Sequence, residues 1–252
     1  SESMILSSTV NKRTENKGIA VKTSGFENPI FGQYFISVFH NSISFYNNNI
    51  ALFAMPVSED MTSAEYLSPR SDECLRSYNF LLEETYENPY DTLYLIEFHP
   101  KKGSNFNGLK GRLYISSNGW AVKNIVTEPF EKGLIDFRFR QDYEFIDGRW
   151  FPSGLDEEIG FVSMKLNKKI QAVPVYLITS RISNVDFNPA ITIDSINYEK
   201  VYIDEEMIKE SESILDASRP DSLTVIEKNT FQFMDSIGNK FRFDYWAELY
   251  PY

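Results

Sequence analysis

The sequence predicts an α+β fold, an antiparallel sheet followed by a helical extension, and three features carry that expectation. Aromatic residues make up 15% of the 252-residue chain, and such rings favour the pleated, half-buried surface of strands. From about residue 78 apolar and polar residues alternate with a period of two, in runs separated by Asn-Pro, Asn-Gly and Asp-Gly turn pairs. Beyond residue 200 the period lengthens to that of helices, in two segments separated by Pro220.

Taken in order, residues 1–28 are polar and irregular, with short apolar stretches at "MIL" and "IAV" that read as strands. In "NPIFGQYFISVFHN" the residues Ile30, Phe31, Tyr34, Phe35, Val38 and Phe39 recur at helical spacing. Asn28 can cap that helix and Pro29 suits its first turn; the rival reading is two aromatic strands broken at Gly32. "IALFAMPV" reads as a strand ended by Pro56, and a short helix is expected around Asp72 to Arg76. "YNFLLEETY" and "DTLYLIEFH" form a hairpin around "ENPY". "LKGRLYIS" and "WAVKNIVT" form the next around Ser-Asn-Gly, where a two-residue Asn118-Gly119 turn would set Ile115 opposite Val122 and Tyr114 opposite Lys123.

"LIDFRFRQDYEFI" places Ile135, Phe137, Phe139, Tyr143 and Phe145 on one face, with Asp136, Arg138, Arg140 and Asp142 on the other. Asp147-Gly148 supplies a tight turn into "RWFPSG", where Pro152 and Gly154 predict a bulge or an edge. "VPVYLITSRISNVDF" is a further strand candidate. "DEEMIKESESILDASRP" is a charged helix capped by Asp204 and stopped before Pro220. Thr224 and Glu227 have capping-box spacing at the head of a second helix, along which Val225, Ile226, Phe233, Met234 and Ile237 make a partial stripe. Residues 1–200 are thus expected to form the sheet domain and 201–252 the helical extension.

Lys and Arg total 25 against 36 Asp and Glu, a net charge of −11. A chain this acidic is repelled by nucleic acid and by anionic membrane faces, so neither is expected as a partner. Cys74 is the single cysteine, which excludes an intramolecular disulfide. No apolar run is long enough for a membrane-spanning helix, and no signal segment opens the chain. The opening "SESMILSST" reads as the interior of a longer polypeptide.

The stretch "FNGLKGRLYISSNGWAVKNI" tests a phosphate-binding reading, because Gly108 and Gly111 lie three residues apart. A phosphate loop leads into a helix and carries Lys followed by Ser or Thr. Here Gly111 leads into an alternating strand, so these glycines are punctuation between strands. Leu113, Ile115, Trp120 and Val122 then share one apolar face, the candidate ligand-lining set. His40 and His99 have no partner at metal-ligand spacing, and Cys74 lacks a nucleophile context. Asp156-Glu157-Glu158 would alternate between the faces of a strand, and Asp204-Glu205-Glu206 occupies a helix start, where acids belong. Lys165, Lys168 and Lys169 read as a solvated hairpin turn. No cofactor, no metal and no catalytic residues are expected.

The stretch from Asp91 to Pro129, with Phe-x-Pro-Lys-Lys, Asn-Phe-x-Gly-Leu-x-Gly, Leu-Tyr-Ile and Asn-Gly-aromatic-Ala over Phe98 to Ala121, resembles a family of Bacteroidetes outer-membrane proteins. "SGFENPIF", "SFYNNNI", "YEFIDGRWFP" and "SRPDSLTVIEKNTFQFMDSIGNK" extend the resemblance over nearly the whole chain. In that family a carboxypeptidase-regulatory-like sandwich precedes a middle domain and a transmembrane β-barrel follows. The chain is similar to the middle domain, itself similar to the LolA/LolB-type lipoprotein carriers. The resemblance implies a strongly curved antiparallel sheet, a LolA-like open half-barrel with helices on its concave side. It implies a non-enzymatic domain on the periplasmic side of the outer membrane that binds a hydrophobic ligand, such as a lipid, or a partner protein in that concavity. A structural spacer that gates the barrel is the alternative, and an unrecognised hydrolase a distant one. The implied partner is the protein's own β-barrel, and the aromatic tail "FRFDYWAELYPY" is a candidate homodimer contact.

Overall fold

The structure, a computed structural model, describes residues 2–10, 13–22, 45–53, 63–131, 135–161, 164–165, 171–172, 175–191, 205–219 and 222–241. The chain divides into two compact units, Ser1–Asn41 with Asp186–Tyr252, and Ser42–Val185. In the first, β1 (Glu2–Val10) pairs antiparallel with β2 (Arg13–Lys22). That unit also holds the two long helices, so the terminal segments of the chain associate with one another. The pattern of the sequence groups residues 1–28 with the sheet instead.

The second unit is built on a seven-stranded antiparallel sheet. A small hairpin of β3 (Asn49–Phe53) and β4 (Ser63–Leu67) comes first. The short helix α1 (Cys74–Ser77) follows, within one or two residues of its expected place. Six consecutive strands then form a meander: β5 (Tyr78–Asn88), β6 (Asp91–Pro100), β7 (Leu109–Ser116), β8 (Val122–Pro129), β9 (Ile135–Ile146) and β10 (Arg149–Phe161). A two-stranded pair, β11 (Met164–Lys165) and β12 (Gln171–Ala172), intervenes. Then β13 (Val175–Arg181) returns to the outer side of β10, giving the order β13-β10-β9-β8-β7-β6-β5. The sheet is not closed.

The turns follow local chemistry. Asp147 and Gly148 have φ of 46° and 80° and join Ile146 to Arg149, the primed geometry that Asp-Gly tolerates. The Pro152/Gly154 step shifts register as expected, because Pro152 has no amide for the ladder and the chain bulges there.

The β7–β8 connection differs from expectation. Ser116 N–H bonds the Ala121 carbonyl at 2.9 Å, so four residues form the loop, with φ of 72° at Gly119 and 52° at Trp120. Ile115 does face Val122, but a bulge then sets Tyr114 opposite Asn124 rather than Lys123. Trp120 therefore lies in the loop, 68% exposed, and does not share the buried face of Leu113 and Val122.

α2 (Glu205–Ser218) stops before Pro220, and α3 (Val225–Phe241) opens on the expected capping box. Thr224 N–H donates to Glu227 Oε2 at 2.7 Å and Glu227 N–H to Thr224 Oγ1 at 3.2 Å. α2 packs on β2, where Ala20, Ser211 and Leu215 are buried. The expected helix over residues 29–39, Asp204, and the aromatic tail after residue 241 lie outside the described residues.

The core of the second unit lies on one face of the sheet. The alternation sends Tyr78, Phe98, Leu109, Leu113, Val122, Ile125, Phe137, Phe139, Tyr143 and Leu155 to that face, where all are buried. Phe45, Ile50, Tyr66 and Leu67, from the β3–β4 hairpin and the turn before it, cover them. Tyr66 meets Phe137 edge-on at 5.0 Å and Tyr46 meets Tyr143 at 5.4 Å. The Tyr78 hydroxyl ties cover to sheet: it donates to the Leu67 carbonyl at 2.6 Å and accepts from Leu109 N–H at 3.1 Å.

Two substitutions test this packing by thermal or denaturant melting. Tyr78→Phe should cost about 1–3 kcal/mol, because it orphans a buried amide and a carbonyl together. Gly111 faces the fully buried Phe98 across β6 and β7. A Cβ there would run into the Val126 carbonyl oxygen and come within 2.9 Å of Thr127 Cα. Gly111→Ala should therefore cost about 2 kcal/mol, since backbone cannot yield as a flexible side chain would. An unchanged melting transition in either variant would contradict this account.

Candidate functional site

The candidate site sits on the core face at the β9–β10 end. Register sets Phe139 opposite Glu157, Gln141 opposite Leu155 and Phe137 opposite Ile159. Glu157 therefore points to the apolar side, with Leu155 and Ile159 as its neighbours two residues away. Asp156 and Glu158 point to the other face, where Asp156 Oδ1 meets Arg181 Nη1 at 2.7 Å. The acidic triplet is divided between the faces as the alternation required.

Three polar side chains are buried on this part of the face: Thr127, Gln141 and Glu157. Thr127 Oγ1 donates to the Lys110 carbonyl at 2.9 Å. Gln141 Oε1 accepts from the Tyr143 hydroxyl at 2.6 Å, and burial pushes the Tyr143 hydroxyl well above the usual tyrosine range. Glu157, only 8% exposed, has no such compensation among the described residues. Burial alone raises its carboxyl from 4.5 to about 7. A carboxyl in this state can donate or accept a proton near neutral pH. It can also pair with a hydrogen-bond donor that arrives with an apolar ligand.

Of the sequence-expected lining residues, Leu113 and Val122 are 2% and 1% exposed and belong to the packed core. Ile115 is partly buried against that core. Trp120 stacks on Tyr94 with centroids 5.6 Å apart. The first three share the face of Glu157, two or three strands away; Trp120 lies in the loop beyond them, mostly exposed, against Tyr94, which pairs with Ile115. Sequence reasoning misses Glu157 as a site residue, although its flanking Leu155 and Ile159 mark it as the inward member of the triplet.

The other reactive residues have structural surroundings. His99 Nδ1 lies 2.9 Å from the Pro100 carbonyl oxygen, with its ring stacked on Phe130. Cys74 is half-buried at the start of α1, against the core. His40, Lys168, Lys169 and the side chains of Lys165, Glu205 and Glu206 lie outside the described residues. Among the described residues no group of three His, Cys, Asp or Glu could hold a metal, and no helix is long and apolar enough to cross a membrane.

The model of a family of unknown function, DUF5686, matches residues 1–178, and the chain belongs to that family. No curated protein matches the chain. No solved structure matches it either.

The Glu157 environment gives a pH signature. The folded state holds this proton more tightly than the unfolded chain does, so its contribution lowers stability as pH rises from 4.5 to about 7, then levels off. Glu157→Gln should remove that slope. The variant should exceed the parent by up to about 3 kcal/mol at pH 8 and show no such gain at pH 4. Parallel stability curves for parent and variant across pH 4–8 would refute the placement of this carboxyl.

Proposed function

We propose that the chain is a non-enzymatic binding domain of the bacterial cell envelope, on the periplasmic side of an outer-membrane protein whose own β-barrel is its first partner. Its sheet curves as in the LolA/LolB-type carriers, and the apolar face takes a hydrophobic ligand or a partner segment. Glu157 is the observation that carries this reading. A carboxyl buried on the core face with no partner among the described residues lowers stability, which is a poor choice for a scaffold and a useful one for orienting an apolar molecule by its single polar group. The envelope location rests on the sequence resemblance, and the aromatic tail is the candidate homodimer contact.

The spacer reading has its own support, since Leu113 and Val122 are closed within a packed core. Hydrolysis is the third reading. Lipid extraction and mass spectrometry of the purified protein, with titration by a fluorescent fatty-acid analogue, separate the three. The binding reading expects an extractable apolar molecule and saturable probe uptake that weakens in Glu157→Leu, while the variant still melts cooperatively. A folded protein with no extractable molecule and no saturable uptake would support the spacer. Turnover of an added ester, lost in Glu157→Gln, would support the hydrolase.

A further inference from the structure

The meander brings three connections to one end of the seven-stranded sheet: the Pro89-Tyr90 turn, the Ser117–Trp120 loop and the Asp147-Gly148 turn. Tyr90, Trp120, Phe145 and Tyr46 are 96%, 68%, 53% and 40% exposed there. The end is cross-braced. Trp150 Nε1 donates to the Asn118 carbonyl at 3.3 Å, and Val122 N–H donates to the Tyr46 hydroxyl at 3.2 Å. The Asp91 carboxylate accepts from the Ser116 and Ser117 hydroxyls at 2.8–2.9 Å. Ser117 and Thr92 exchange bonds of 2.8 and 2.9 Å between the first connection and the second.

Trp120 holds the left-handed backbone conformation, φ 52°, which a bulky side chain rarely adopts. Its ring is mostly exposed and stacks on Tyr94 at 5.6 Å. A braced loop that spends strain to expose an indole is built for contact rather than for packing.

We infer that this aromatic rim seats on the interface of a bilayer with zwitterionic headgroups, Tyr90, Trp120 and Phe145 entering the headgroup layer. Amphipathic rings favour that layer. The rim is a row of three projecting turns at one end of the sheet, and a fluid headgroup layer accommodates such a row without needing a complementary shape. Its exposed charges are mixed, Glu87, Glu144 and Asp147 with Arg70, Lys123 and Arg149, which complements phosphate and ammonium together. The chain's net charge of −11 opposes an anionic surface. A second copy fits less well, because two ridges of turns would meet along a line rather than over the area that stable pairs bury. The inference stands on the rim and not on the ligand reading of the sheet's core face.

Co-sedimentation of the full chain with phosphatidylcholine vesicles tests it, alongside vesicles enriched in phosphatidylglycerol. The parent should bind the zwitterionic vesicles with a blue shift of tryptophan fluorescence, and bind the anionic ones less. Tyr90→Ser/Trp120→Ser/Phe145→Ser should weaken binding at least about tenfold, with an unchanged melting transition. Because the sequence ends in a second aromatic-rich segment, "FRFDYWAELYPY", Trp246→Ser/Tyr250→Ser serves as the comparison and should bind as the parent does. Absence of vesicle binding would overturn the inference. So would binding that survives the rim variant, fluorescence changes produced by soluble oligosaccharides alone, or a rim variant that alters only the oligomeric state in sedimentation.

Discussion

The second unit depends on the hydroxyl of Tyr78. Its ring is fully buried against Phe98 and Phe106, at centroid distances of 5.9 and 5.7 Å. Its oxygen bonds the Leu67 carbonyl on the cover and the Leu109 amide on the sheet. Both are polar groups at a seam where water is excluded, and burial pushes the phenol up to about 12. The contact fixes where β4 lies over the sheet. Asn107 adds two further ties, its carbonyl accepting from Leu67 N–H at 3.1 Å and its amide donating to the Glu65 carbonyl at 3.1 Å. With those set, Tyr66 falls on Phe137, and Ser68 Oγ reaches the Phe45 carbonyl at 2.7 Å to close the cover on itself.

Local signals make most of the sheet legible in the amino-acid sequence. Asp147-Gly148 dictates a turn because both residues accept positive φ, and Thr224 with Glu227 announces a helix start because each satisfies the other's free amide. The alternation in β9 sorts Phe137, Phe139 and Tyr143 from Asp136, Arg138 and Asp142 without reference to anything outside the strand. The failures come where distant partners decide. A two-residue Asn-Gly turn is the cheapest local choice at 118–119, and the loop instead extends through Trp120, held by Asp91 from the neighbouring turn. The grouping of β1 and β2 with the two C-terminal helices leaves no local trace, since contacts across most of the chain have no period to read.

The candidate site is half legible. The period of two predicts that Glu157 and Asp156 part company, and the flanking Leu155 and Ile159 say which one turns inward. The period alone gives the division; choosing the inward member needs those flanking residues as well. Leu113, Ile115 and Val122 fall on the expected face, but apolar character alone does not distinguish a packed core from a binding surface. A single polar group among apolar ones does, because its desolvation has to be offset by something. Thr127 and Gln141 meet that demand within the protein, through Lys110 and Tyr143, and Glu157 does not among the described residues.

Aromatic residues in this chain therefore divide by what the sheet can do for them. Among the described strand residues, rings with cross-strand neighbours on both sides are covered, and Phe98 and Phe139 disappear into the core at 0% and 1% exposure. At the connections the ladder ends and the neighbouring strands cover a ring only in part, as Tyr94 does for Trp120. Turn positions are then free of the core's demands, and the lowest-energy residues there are Gly, Asn and Asp. Asn118, Gly119, Asp147 and Gly148 follow that rule. Tyr90 and Trp120 do not, and Trp120 departs from it at a backbone angle that opposes a large side chain. Packing among the described residues gives little return for this choice, because most of the indole stays open to solvent. The bilayer contact inferred for the rim would offset that cost, which sets Tyr90 and Trp120 apart from the rings buried along the described strands.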